Sequence, residues 1–224
     1  AAGALCRPFR DWMQQRDQAA VVLGLLDEGA IPDIVMCSLC IEAIALSDPD
    51  HALSMIKDFL SKDREAPRLI GALAIGNIEF SGRPDLVEDA SEVIARILRN
   101  TPTDLLAANL FGSLFQMHDR NPILVEDLIL SLLRELTPEP GPETIHRLAK
   151  CLFVRAEILS DSLTEKIAQL LVEVSPQNVG TLGEIDHAIS NLMRNGKTDV
   201  ALALFKRLIA EKGFKAEQLE GSSR

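Results

Sequence analysis

The stretch REAPRLIGALAIGNIEFSGRPDLVEDASEVIARILRN, residues Arg64–Asn100, reads as helix, turn, helix. In its second half the apolar residues Leu86, Ala90, Val93, Ile94 and Ile97 recur at the three-and-four spacing of one helical face. Asp85, Glu88, Asp89 and Glu92 lie off that stripe and early in the segment, where the helix macrodipole favours acids. The first half carries Gly71, Ala72, Ala74 and Gly76. Such small residues let a neighbouring backbone come close, although each glycine costs roughly 1 kcal/mol of helix propensity. The predicted helices are Ala66–Phe80 and Pro84–Asn100, joined through Ser81-Gly82-Arg83-Pro84.

The same grammar recurs on both sides. Upstream, Ser47-Asp48-Pro49-Asp50 is a turn and N-cap before an amphipathic helix, His51–Ser61. The helix before it, Asp33–Leu46, is apolar nearly all round (Ile34, Val35, Met36, Leu39, Ile41, Ile44), the pattern of a helix buried on several sides. A leading helix, Pro8–Asp27, puts Phe9, Trp12, Met13, Ala20, Leu23 and Leu26 on one face and stops at Gly29. Downstream, helices are predicted over Pro102–Met117, Pro122–Leu136, Thr144–Leu159, Asp161–Val174, Thr181–Arg194 and Thr198–Glu211. The strongest breaker is Thr137-Pro138-Glu139-Pro140-Gly141-Pro142, and Asn195-Gly196 ends a helix.

The second helices of these pairs start near Pro49, Pro84, Pro122, Ser162 and Thr198, about 35–40 residues apart, a period typical of two-helix repeats. One hairpin cannot bury both its faces, and stacking neighbours solves this. The expectation is an all-α fold, a right-handed superhelix of about five stacked antiparallel helical hairpins plus the leading helix. It forms one domain over residues 1–213, with 214–224 a frayed tail or linker remnant. Ala1-Ala2-Gly3 reads as an excised start, so the expectation is a domain cut from a longer chain.

Leu26-Asp27-Glu28-Gly29-Ala30-Ile31-Pro32-Asp33-Ile34-Val35 resembles the armadillo phrase in which a Gly-Ala-Ile-Pro turn opens the last helix of a repeat. Gly71-Ala72-Leu73-Ala74-Ile75-Gly76-Asn77-Ile78 resembles the armadillo segment ending in Ala-Leu-x-x-Leu-x-Asn-Leu. That resemblance implies a peptide-clamping Asn ladder through Asn77, but Ser113 stands at the next rung and the Thr144 helix has no Asn. The short units without a third helix are closer to HEAT repeats, and Asn195–Phe205 reads like a tetratricopeptide half. The chain is thus similar to HEAT/ARM-like α-solenoids.

Composition narrows the function classes. The 224 residues are 47% hydrophobic but only 4% aromatic, without Tyr, and show no sustained alternation of the kind strands need. The formal net charge of −10 opposes nonspecific nucleic-acid binding, which rests on Lys and Arg neutralising phosphates. It fits a basic protein or peptide partner, another domain of the same parent chain, or plain solubility. No apolar run reaches the ~18 residues of a membrane-spanning helix, so no membrane role is expected. Of Cys6, Cys37, Cys40 and Cys151, three sit in apolar helical patterns, pointing to a reducing, cytoplasmic setting.

The candidate chemistry is sparse. Cys37-Ser38-Leu39-Cys40 has CxxC spacing, but no second pair supplies the rest of a zinc site, and core packing is the expected role. Gly196-Lys197-Thr198 imitates the end of a phosphate-binding loop but lacks the preceding Gly, with Asn191 at that position. His51, His118, His146 and His187 are scattered and expected at the surface, with Glu184 and Asp186 near the last. Arg147, Lys150 and Arg155 share one helix. The phrase Val-Glu-Asp occurs twice, at Val87-Glu88-Asp89 and Val125-Glu126-Asp127, at equivalent points of successive second helices. If such helices line a concave face, Glu88, Asp89, Glu92, Glu126 and Asp127 form an acidic partner-binding strip; the alternative is a solvated face. The expected function is a non-catalytic scaffold for protein–protein or intramolecular domain binding, with no cofactor and no metal. The alternatives are a sensor or regulatory domain of a nucleotide-driven effector, and a HEAT-like nucleic-acid-binding or glycosylase-type enzyme, which the acidic charge opposes.

Overall fold

The computed structural model describes residues 11, 18–26, 31–80, 82–136, 140–175 and 177–212. Among these residues all regular structure is helical: α1 (Ala19–Leu23), α2 (Ile31–Ala45), α3 (Pro49–Ser61), α4 (Glu65–Asn77), α5 (Pro84–Arg99), α6 (Asp104–His118), α7 (Pro122–Glu135), α8 (Pro142–Arg155), α9 (Asp161–Leu171), α10 (Val179–Arg194) and α11 (Thr198–Lys212). Cys6, Phe9, Trp12, Met13, Gly29, most of the expected leading helix, the centre of the 137–142 breaker and the 214–224 tail lie outside the described residues. No helix among the described residues is long and apolar enough to cross a membrane. The chain divides into two compact units, residues 1–97 with 116–125 and residues 98–115 with 126–224.

Three helices start where the local sequence offers their orphan N–H groups a partner. Asp48 Oδ1 accepts from His51 N at 2.9 Å with Pro49 at the first helical position, Ser160 Oγ accepts from Leu163 N at 3.2 Å, and Asn178 Oδ1 accepts from Thr181 N at 3.2 Å. At the far end of α10, Gly196 takes φ +77°. There the Gly196 and Lys197 N–H groups reach back to the Met193 and Leu192 carbonyls at 3.2 and 2.9 Å. That is the Schellman arrangement, which explains why Asn195-Gly196 ends the helix.

In the first unit α2 packs on α1, α3 and α4, and α3 on α4. Every residue from Cys37 to Ala43 is buried, as expected of a helix covered on several sides, although Val35 is half exposed. At Gly71 α4 comes close to α3. A Cβ there would lie 2.7 Å from Leu60 Cγ and 3.1 Å from the Ile56 carbonyl oxygen, so no larger residue fits without moving the pair. The expected helix to Phe80 stops three residues early, at Asn77, and Ile78 turns extended with ψ 130°. Side chains far along the chain hold this end. The Arg120 guanidinium donates to the Gly76 and Ile78 carbonyls at 3.1 and 2.7 Å, and Asn77 Nδ2 donates to the buried Glu42 at 2.8 Å. Ile78 and Phe80, freed from the helix, are still buried.

In the second unit α8 packs on α9 and α10, and α11 on both α9 and α10. The expected helix Thr144–Leu159 ends at Arg155, and Asp161–Val174 ends at Leu171. The Asn191 amide donates to the Phe153 carbonyl at 2.6 Å, and Lys197 Nζ donates to the Leu159 carbonyl at 2.5 Å and to Thr164 Oγ1 at 3.0 Å. The start of α8 is capped from a distance. Its own N-cap residue, Gly141, has no side chain to offer. Instead Asp104 accepts from Glu143 N at 2.7 Å, Thr144 N at 3.1 Å and the Thr144 hydroxyl at 2.7 Å. A Cβ on Gly141 would sit 2.3 Å from Asp104 Cγ, so the glycine leaves the space the carboxylate fills. Replacing a capping acid by Ala typically costs about 1–2 kcal/mol. Asp104→Ala is therefore expected to lower unfolding stability by about that much, with Asp104→Asn losing less; urea titration of the three proteins checks it, and equal stabilities would contradict the capping role.

Candidate functional site

The residues expected to form an acidic strip fall on α5 and α7. Val87 and Val125, which open the two Val-Glu-Asp phrases, are both buried, so the phrase faces the same way in each helix. Glu88 and Glu92 are exposed on α5, and Asp127 is exposed on α7. Asp89 is half-buried and already paired: Lys57 Nζ lies 2.5 Å from its Oδ2. Glu126 is half-buried and engaged within the protein. On α5 the exposed stripe is acidic through Glu92 and turns basic at Arg96 and Arg99, matching the helix dipole at both ends. The structure thus leaves Glu88, Glu92 and Asp127 as the carboxylates of the strip open to a partner, each within its own unit.

A second charged group was not apparent from sequence. Arg83 follows Gly82, whose φ of +74° belongs to the left-handed region where glycine is favoured. Its guanidinium grips Asp50 with two bonds of 2.9 and 3.1 Å and Asp85 with bonds of 2.7 to 3.2 Å. Hydrogen bonding from Arg83 holds the Asp50 and Asp85 carboxyls below the ordinary carboxylate range, and the same bonds raise the Arg83 pKa. The signal was present as a separation of 33 residues, one repeat, between Arg83 and Asp50.

The remaining candidates take structural places. Asn77, the armadillo-like ladder position, spends its amide on Glu42 rather than presenting it outward. Cys37 and Cys40 have no exposure, and burial, then the neighbouring Cys37, pushes the Cys40 thiol up to about 11. Among the described residues no group of three His, Cys, Asp or Glu side chains is placed to hold a metal ion. The expectation of surface histidines fails at His118, which is 2% exposed, and partly at His146, which is half-buried with Nδ1 3.2 Å from the Thr181 hydroxyl. Leu114, Phe115 and Met117 of the same helix are buried as well, and His118 goes inward with that face. His187 stacks on Phe153 at 5.3 Å between ring centroids rather than joining Glu184 and Asp186 in a catalytic group. Arg147 lays its side chain over Gly112, with Cδ and Nε each 3.3 Å from where a Cβ would be, Lys150 is exposed and Arg155 is half-buried and engaged. A cavity of about 380 Å³ in the second unit is floored by Ala107, Phe111 and Leu132. The Arg99–Glu135 and Asp104–Thr144 pairs in its wall are already bonded to each other.

No protein-family model, no curated protein and no solved structure matches this chain at a significant level.

Two measurements follow from these environments. A carboxyl whose pKa is lowered by folding contributes stability above its unfolded pKa and loses it as pH falls through the folded value. Asp50 and Asp85 are thus expected to titrate below the usual Asp range by NMR, and Arg83→Ala to return both toward it; wild type and variant then differ in stability at neutral pH and converge in acid. Absence of an upward shift in the variant would contradict the pairing. Thiolates, not thiols, react with alkylating and disulfide reagents. At pH 8 the thiols of Cys37 and Cys40 are expected to react only as fast as the protein unfolds, and rapid labelling of either in the native state would contradict their burial.

Proposed function

We propose that the chain is a HEAT/ARM-like α-solenoid, a right-handed superhelix of hairpins, acting as a non-catalytic scaffold that binds another protein or another domain of its parent chain. On this reading the acids offered to the partner are Glu88 and Glu92 on α5 and Asp127 on α7, with Asp89 and Glu126 half-buried. The observation that carries this reading is the separation of the long-range polar contacts. In the first unit they join residues 42 and 77, 50 and 83, 57 and 89, and 120 with 76 and 78. In the second they join 99 and 135, 104 and 144, 146 and 181, 153 and 191, and 159 and 197. Each separation is 32 to 44 residues, about one two-helix repeat. A solenoid in which each hairpin bonds to its sequence neighbour produces such a pattern, and its extended faces suit protein recognition. The net charge of −10 favours a basic partner surface.

The test is charge reversal on the exposed acids. The Glu88→Lys, Asp127→Lys double variant, shown by circular dichroism to remain folded, is compared with wild type in quantitative crosslinking to captured partner proteins. A single exposed ion pair is worth about 0.2–1 kcal/mol, so two reversals are expected to reduce capture of the specific partner roughly tenfold. Unchanged capture would remove these acids from the binding surface.

A further inference from the structure

In the second unit the parallel helices α9 and α11 leave a groove of about 280 Å³ between them. Lys197, just before α11, bonds to Thr164 in the first turn of α9, so the two helices start side by side. The floor is aliphatic: Ala168 from α9, and Val200, Ala203 and Leu204 from α11. Ala168 and Leu204 are buried, while Ala203 is open to solvent. Glu165 and Asp199, in the N-terminal halves of their helices, line the same groove and are exposed. Neither carboxylate has an ion-pair or hydrogen-bond partner among the described residues. Asp161 stands close by, 3.5 Å from Lys197 Nζ. Lys197 is turned inward onto the Leu159 carbonyl, with only 14% of its side chain exposed. At the other end Arg207 is engaged within the protein.

An aliphatic channel ending at unpaired carboxylates is complementary to one kind of side chain: a long apolar stem with a cationic head. The groove is smaller than the roughly 300–1,000 Å³ of small-molecule sites and suits a single side chain. We propose that it receives a lysine or arginine of a partner protein, stem along Ala168, Val200, Ala203 and Leu204 and head between Glu165 and Asp199. The proposal rests on the scaffold reading for its need of a protein partner, but not on the acids of α5 and α7.

The probe is a set of capped Gly/Ser peptides carrying two Lys, two Arg, two Gln or two Glu, added to the full chain at low salt, where surface charge is least screened. Methyl NMR is the readout. The Lys and Arg peptides are expected to shift the methyls of Ala168, Val200, Ala203 and Leu204, and the Gln and Glu peptides to leave them in place. Glu165→Gln with Asp199→Asn is expected to weaken binding roughly fivefold, the sum of two exposed pairs. Ala203→Leu, an exposed helix position, fills the groove and is expected to abolish the shifts while the rest of the spectrum is retained. Equal shifts from the Gln peptide, shifts confined to α5 or α7, or no shift with any peptide would each overturn the groove assignment. The scaffold reading is judged separately by the charge-reversal crosslinking, so either can fail without the other.

Discussion

Helix ends carry backbone groups that their own helix cannot satisfy, and at several ends here those groups are met by side chains about one hairpin away. Arg120 closes the end of α4 through the Gly76 and Ile78 carbonyls. Asp104 closes the start of α8, and Lys197 reaches the Leu159 carbonyl in the turn after α8. Apolar burial supplies most of the stabilisation but is non-directional and tolerates sliding. A cation aimed at two named carbonyls does not. These bonds convert greasy contact between helices into a fixed register, and the cost of orphaning a partly buried carbonyl or N–H, about 1–3 kcal/mol, enforces it.

The hairpin grammar was legible because it is local. Periodicity gave the helices, Asp48-Pro49, Ser160 and Asn178 gave starts, and Gly196 gave a stop. Gly71 was legible as a close-approach position, and the structure sets Leu60 and the Ile56 carbonyl against it. What failed was non-local. The stretch Ile75–Phe80 continues the helical pattern before it, yet the chain leaves the helix at Asn77, where Glu42 and Arg120 take hold. Gly141 reads only as a breaker until Asp104, 39 residues before Glu143, is seen to cap in its place. His118 reads as a surface histidine because its polarity stands out in sequence, while the burial of Leu114, Phe115 and Met117 around it does not.

Charge follows the same division. That Glu88 and Glu92 face solvent could be read from the stripe opposite Leu86, Ala90 and Val93. That Asp89 belongs to Lys57, and Asp50 to Arg83, leaves in the sequence only a one-repeat separation, because each pair forms only when two helices lie alongside. The groove between α9 and α11 is of that kind too. Glu165 and Asp199 are unremarkable acids on separate helices, and their meaning comes from the alanines set between them.

The reach of Arg120 and Lys197 bears on how such a chain can change length over generations. Adding or dropping one residue in a turn would swing the guanidinium or ammonium off its carbonyls and strand both ends of the bond. Changes of length are therefore tolerated least in the bends that carry these two cations.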